Sequence, residues 1–152
     1  MRISLEQTFP PSSSCSCSLC TGYCRRPGWW TVREARQAIA QGYASRMMIE
    51  FSRDLSNAVL SPAFRGNESF YAVNENAANG CTFLKGGLCE LYGTGIEPLE
   101  CRYCHHERKG GGLRCHNAIG DDWNSSKGRR LVKYWCSLYG LELPPVYAGC
   151  GA

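Results

Sequence analysis

The sequence predicts a small α+β to mainly α fold, with two flanking helices around irregular cysteine-rich metal-binding loops. Three observations lead there. Eleven cysteines in 152 residues concentrate in two regions. Two other stretches carry apolar residues at three- and four-residue steps, bounded by helix start and stop signals. The second cysteine region is also dense in glycine, which suits tight turns better than regular structure. A chain of this length fits one domain of about 100–200 residues, and its hydrophobic fraction of 43% is enough to form a core. The expected organisation is a flexible N-terminal segment over 1–14, one metal-binding domain over 15–143 and a C-terminal tail over 144–152.

The first segment is polar and includes Pro10-Pro11-Ser12-Ser13-Ser14. It has no apolar core of the kind a secretory signal carries. No apolar run approaches the ~20 residues of a membrane-spanning helix. Cytoplasmic localisation, with no membrane partner, is therefore the expectation. In a reducing compartment, clustered thiols are metal ligands or catalytic groups more often than cross-links, and an odd number cannot all pair.

Cys15, Cys17, Cys20 and Cys24 come next, followed by Arg25-Arg26-Pro27-Gly28. Thr31 with Glu34 reads as a capping box opening a helix. Val32, Ala35, Ile39 and Tyr43 lie on one face of it, and it is expected to run to about Met47, weakened at Gly42. Pro62 and Gly66-Asn67 interrupt the following stretch, and Phe70 to Val73 reads as a short strand. Cys81 to Cys115 forms the glycine-rich region. The end is helical again over Gly128 to Tyr139, with Leu131, Trp135 and Leu138 on one face, Gly140 as a stop and Pro144-Pro145 barring continuation.

The spacing of the thiols carries the chemistry. Cys17-x2-Cys20 and Cys101-x2-Cys104 are two C-x2-C steps, in which a turn aims both sulfurs at one ion. Cys24 stands three residues beyond Cys20, and Cys81 and Cys89 precede the second pair. The expected ligands are Cys17, Cys20, Cys24, Cys81, Cys89, Cys101 and Cys104. Cys15 and Cys115 are possible helpers, whereas Cys136 and Cys150 read as bystanders, since free cysteine often behaves as a small buried hydrophobe. Among the three histidines, Cys115 or His116 is preferred over His106 as an accessory ligand, with His105 open. An all-sulfur set suits zinc and iron–sulfur clusters alike, so the cofactor is zinc, by a slight preference, or a [4Fe–4S] cluster.

Cys81-Thr82-Phe83-Leu84, Cys89-Glu90-Leu91-Tyr92 and Pro98-Leu99-Glu100-Cys101-Arg102 together resemble the YkgJ-type cysteine-cluster family. That family is described as zinc- or iron-chelating and includes the flagellin lysine N-methylases. Cys17, Cys20 and Cys24 stand in the place of its N-terminal CxxCxxCC cluster, and the similarity spans most of residues 15–139. The adjacent cysteine pair of that pattern is absent here. The resemblance implies metal chelation. It does not extend to methyl transfer, because the chain shows no G-x-G-x-x-G turn or other sign of a methyl-donor domain.

Other chemistries find less support. The C-x-x-C-H at Cys101 to His105 has the form of a haem attachment motif, but that chemistry normally follows export. No H-E-x-x-H, G-x-S-x-G or P-loop is present. Asp121-Asp122 reads as an acidic pair at a helix N-terminus. Arg25, Arg26, Trp29 and Trp30, with Arg102, Arg108, Lys109 and Arg114, suggest a zinc-stabilised nucleic-acid or adaptor module, although a net charge of +4 is a weak electrostatic footprint. The sequence therefore expects a metal-binding protein and leaves open whether it is an enzyme. An iron–sulfur enzyme or accessory protein for redox or peptide modification is the alternative, and a protein partner is compatible with either.

Overall fold

The computed structural model describes residues 3–13, 15, 17–108 and 111–149, and for residues 21 and 23–25 the backbone alone. The fold is mixed α+β, with helices flanking a cysteine-rich region. In chain order the elements are α1 (Leu5–Thr8), α2 (Ser18–Arg25), α3 (Val32–Ala40), β1 (Met47–Phe51), β2 (Ala58–Pro62) and β3 (Phe70–Tyr71). These are followed by β4 (Leu84–Lys85), β5 (Leu88–Cys89), α4 (Leu99–Tyr103), α5 (Gly111–Trp123), α6 (Ser126–Tyr139) and α7 (Pro145–Gly149).

The capping box at Thr31 forms as the sequence predicts: Thr31 Oγ1 accepts from the Glu34 amide and Glu34 Oε1 from the Thr31 amide. The helix ends sooner than expected. It stops at Ala40, before Gly42 at φ 95°, and the chain then enters a strand where a helical end was expected. Met47, Met48 and Ile49 are all fully buried, so β1 has no polar alternation to announce it. Met47 and Ile49 join the main core, while Met48 packs on the other side with Ala63 and Phe64.

A three-stranded sheet runs in the order β2-β1-β3. β1 and β2 are antiparallel, with Ile49 opposite Leu60, and β3 joins in parallel through Met48 and Phe70. Pro62 therefore ends an edge strand, where a missing amide is tolerated, instead of breaking the pattern. β4 and β5 make a short hairpin whose Gly86-Gly87 turn has positive φ at both residues, the geometry of a type I′ turn.

Three tryptophans define the core. Trp30, Trp123 and Trp135 are at most 1% exposed, and each indole N–H finds a carbonyl: Ile96 at 2.6 Å, Trp30 at 2.7 Å and Ala44 at 2.9 Å. Burying such large rings is favourable only when the N–H is satisfied. α6 supplies Leu131, Val132, Trp135 and Cys136 to this core, whereas Leu138, expected on the same face, is exposed. Gly140 caps α6 in the left-handed conformation.

Several local expectations change. The polar lead-in is packed, because it contains α1 and a buried Phe9 whose ring meets Tyr103 edge-on at 5.2 Å. The Pro144-Pro145 tail continues into α7, and Tyr147 is fully buried. Gly111 and Gly112, in the glycine-rich region expected to favour tight turns, instead belong to α5, while Gly110 lies outside the described residues. Asp121 and Asp122 end that helix and do not begin it; Asp122 Oδ2 instead accepts the Val32 amide at 2.8 Å, at the N-terminus of α3. The macrodipole argument holds for a neighbouring helix.

Glu34 does more than cap its own helix. Its Oε1 also accepts the Leu99 amide at 3.1 Å, and its Oε2 pairs with Arg102. Removing one partner of a largely buried ion pair leaves the other charge stranded, at a cost of several kcal/mol. Glu34→Ala is expected to lower unfolding free energy by about 3 kcal/mol in urea titrations of metal-loaded protein, with Glu34→Gln intermediate. An unchanged midpoint for Glu34→Ala would refute this anchoring role.

Candidate metal centre

α2 begins at Cys17, whose side chain accepts from the Cys20 amide at 3.5 Å as a helix cap. That geometry places Cys17 and Cys20 one turn apart and turns both sulfurs to the same side. Cys15 lies just before the helix, and its sulfur accepts from the Cys17 amide at 3.5 Å. The fourth member arrives from 86 residues away. His106 Nδ1 lies 3.5 Å from Cys15 Sγ, 3.6 Å from Cys17 Sγ and 3.4 Å from Cys20 Sγ. All four ligand atoms fall within 4.8 Å of one another. This Cys3His group is positioned to hold a metal ion.

The approach of His106 is enforced by the chain around it. α4 is fixed by Arg102 on Glu34, and the Arg102 carbonyl accepts both the amide and the hydroxyl of Ser12, at 2.8 and 3.0 Å. Arg108 donates to the carbonyl of Pro10 at 2.6 Å and lies over the Tyr103 ring. Residues 9–12 are thereby fastened alongside 102–108, and Cys15 is delivered to His106. The His106 amide in turn donates to Cys20 Sγ at 3.3 Å. Its neighbour His105 is buried, and its Nδ1 already accepts the Glu107 amide at 3.1 Å; it does not join the group.

The thiols differ in their readiness to ionise. The Cys20 amide, aided by Cys15, draws Cys17 down to about 6. Burial pushes Cys20 up to about 11, although the His106 amide opposes this. Cys17 is exposed and Cys20 buried, so one sulfur of the group is ready as a thiolate while another awaits a cation.

Of the remaining expected ligands, Cys81, Cys89 and Cys101 line a second, small cavity of about 60 Å³. The β4–β5 hairpin supplies Cys89, a bridge to Phe64 positions Cys81, and α4 carries Cys101. Burial raises Cys81 to about 11 and lifts Cys101 well above the usual thiol range, where Cys81 and Cys89 add to the rise. The approach to Cys101 is tight: a Cβ at Gly28 would come within 2.4 Å of its sulfur. Cys104 lines a larger neighbouring cavity together with Cys101. The Cys24 side chain lies outside the described residues, as does Cys150.

The accessory preference is overturned. His106 joins the group, while His116 pairs with Glu100 at 2.6 Å and stacks on Trp29. Cys115 is fully buried in α5, pushed up to about 12 by burial. Cys15, read only as a possible helper, is a full member. Spacing could not single out His106, because nothing local relates residue 106 to residue 20. Cys136 is buried on α6 among core side chains, as expected of a bystander.

In metal-free protein kept reduced, Cys17 is expected to alkylate first, its rate rising through a midpoint near pH 6, with Cys20 lagging at every pH. Peptide mapping after iodoacetamide pulses measures both. A Cys17 midpoint at the ordinary thiol value of about 8.5 would contradict the geometry. Comparisons of the chain with protein-family models, curated proteins and solved structures return no match.

Proposed function

We propose that this protein is a zinc-binding protein whose first centre is Cys15, Cys17, Cys20 and His106. The observation that carries the reading is the set of three sulfur-to-nitrogen distances, 3.4, 3.5 and 3.6 Å. With Zn–S near 2.3 Å and Zn–N near 2.0–2.1 Å, the S···N edge of a tetrahedron is about 3.5 Å. The four atoms support a closed, four-coordinate centre, the form structural zinc takes. Such a site supplies about 10–16 kcal/mol of apparent binding energy, comparable to the ~5–15 kcal/mol net stability of a whole domain.

A second centre is proposed at Cys81, Cys89 and Cys101, which line one cavity but whose sulfurs do not gather as closely as the four atoms of the first centre. Cys24 or Cys104 is the proposed fourth ligand. This all-sulfur set accepts either zinc or a [4Fe–4S] cluster, and it is where an iron–sulfur enzyme or accessory protein would hold its cofactor. The motif shared with the YkgJ-type family falls largely on these residues, so kinship with that family is part of the proposal.

Anaerobic purification with metal analysis and a visible spectrum tests both centres. Stoichiometric zinc in the His106 site is expected, and Cys20→Ser or His106→Ala each removes one equivalent of metal. Unchanged metal content in both variants would end the first proposal. A brown protein containing iron and sulfide would assign a cluster to the second centre, whereas colourless protein with two zinc ions would assign zinc. Metal-stripped, reduced protein is expected to unfold at a markedly lower urea concentration than loaded protein; an unchanged midpoint would overturn the structural role.

A further inference from the structure

Beside α4 lies a cavity of about 350 Å³, near the lower end of the range of ligand pockets. None of Cys15, Cys17, Cys20 or His106 lines it. Its polar wall is built around Trp29. The Trp29 amide donates to Glu100 Oε1 at 3.0 Å, and its indole N–H donates to Glu50 Oε2 at 3.1 Å. Glu100 Oε2 meets His116 Nδ1 at 2.6 Å, and the His116 ring stacks on Trp29 with centroids 3.6 Å apart. One aromatic residue thus holds two carboxyl groups and an imidazole in fixed positions.

Opposite charge is present in the same cavity. Arg26 is exposed and also lines it, close enough to Glu50 to interact electrostatically, as do His116 and Glu100. Glu50 is only partly exposed, so the carboxyl lies inward of the guanidinium. Phe64 and the Trp29 ring supply apolar surface beside these charges. A phosphate or simple carboxylate entering here would meet two acidic side chains. A simple amine would satisfy those acids but leave the guanidinium without a partner. The complement to both signs is a guest that carries an ammonium and a carboxylate close together.

We propose that this cavity binds a free α-amino acid, its ammonium directed to Glu50 and Glu100 and its carboxylate to Arg26 at the mouth. The volume limits the guest to a single residue, and Phe64 with Trp29 receives its side chain. Hydrogen bonds between charged groups are the strong ones, so both ends of the guest are required. The site is separate from the Cys3His centre but borders Cys101 and Cys104 of the proposed second centre, so metal content is measured in the same samples.

Calorimetric titration of the purified, metal-loaded full chain with each standard α-amino acid at millimolar concentration tests the assignment. Binding of one or more amino acids is expected. The N-acetyl and the α-amide derivatives of the best one should each bind at least about tenfold more weakly, since each lacks one charge. Glu50→Gln and Arg26→Ala should weaken the parent amino acid comparably while metal content and circular dichroism stay unchanged. Absence of binding by every amino acid would overturn the proposal, as would derivatives that bind as tightly as the parent. The derivative comparison holds even where a variant fails to fold. Loss of amino-acid binding with zinc retained counts against this site alone, and loss of zinc in His106→Ala bears on the metal centre alone.

Discussion

The Glu34 carboxylate is the interaction on which the arrangement of the functional region depends. It is nearly fully buried, and three groups converge on it: the Thr31 amide, through the capping box, the Leu99 amide and the Arg102 guanidinium. A buried carboxylate is tolerated only when its lone pairs are occupied, and here the donors come from two distant parts of the chain. Burial pushes its ionisation upward, and the amides and Arg102 oppose that. The consequence is positional. α4 cannot shift relative to α3 without stranding this charge, and α4 carries Cys101, is capped by Cys104 and leads directly into His106.

From that fixed point the metal centre follows by short steps. The Arg102 carbonyl holds Ser12, Arg108 holds Pro10, and Phe9 buries itself against Tyr103. These contacts convert a polar lead-in into a strap that ends at Cys15. The same α4 presents Cys101 toward Cys81 and Cys89 on one side and toward the Trp29 cavity on the other. One short helix thus borders three places where chemistry can occur. A pair such as Glu34–Arg102 is weak evidence for stability in itself; its value here lies in fixing the register between two segments.

What the sequence reveals follows the range of the interaction involved. Thr31 with Glu34, the α6 stop at Gly140 and the Cys17–Cys20 step are local patterns, and the structure realises each of them. β1 is hidden because Met47, Met48 and Ile49 are buried on both faces, which erases the period-two signal on which a strand is read. His106 is hidden for another reason. Its place in the Cys3His group depends on a strap, an ion pair and a helix cap that are joined only after folding, while His116, with an equally suggestive cysteine neighbour, is claimed by Glu100 and Trp29. The acidic pair at Asp121-Asp122 shows the same limit, because the helix it serves is α3 and the helix it ends is α5.

The long separation within the Cys3His group bears on why a chain with three buried tryptophans should use a metal at all. Its core is of ordinary make-up, but the described residues before Trp29 bury little: α1 has no buried residue and the strap relies on Phe9 and a few hydrogen bonds. A metal shared by Cys20 and His106 closes a loop spanning 86 positions. By the chain-entropy argument used for cross-links, closing a loop of that length constrains the unfolded chain by about 4–5 kcal/mol. A cross-link between α5 and α6 would close a shorter loop and constrain it less. An ion would therefore be well placed where packing is thin and the chain separation long, as it is where these four ligands meet. On this argument the proposed zinc centre would serve chiefly to hold the N-terminal strap on α4, and the core around Trp30, Trp123 and Trp135 would depend on it only indirectly.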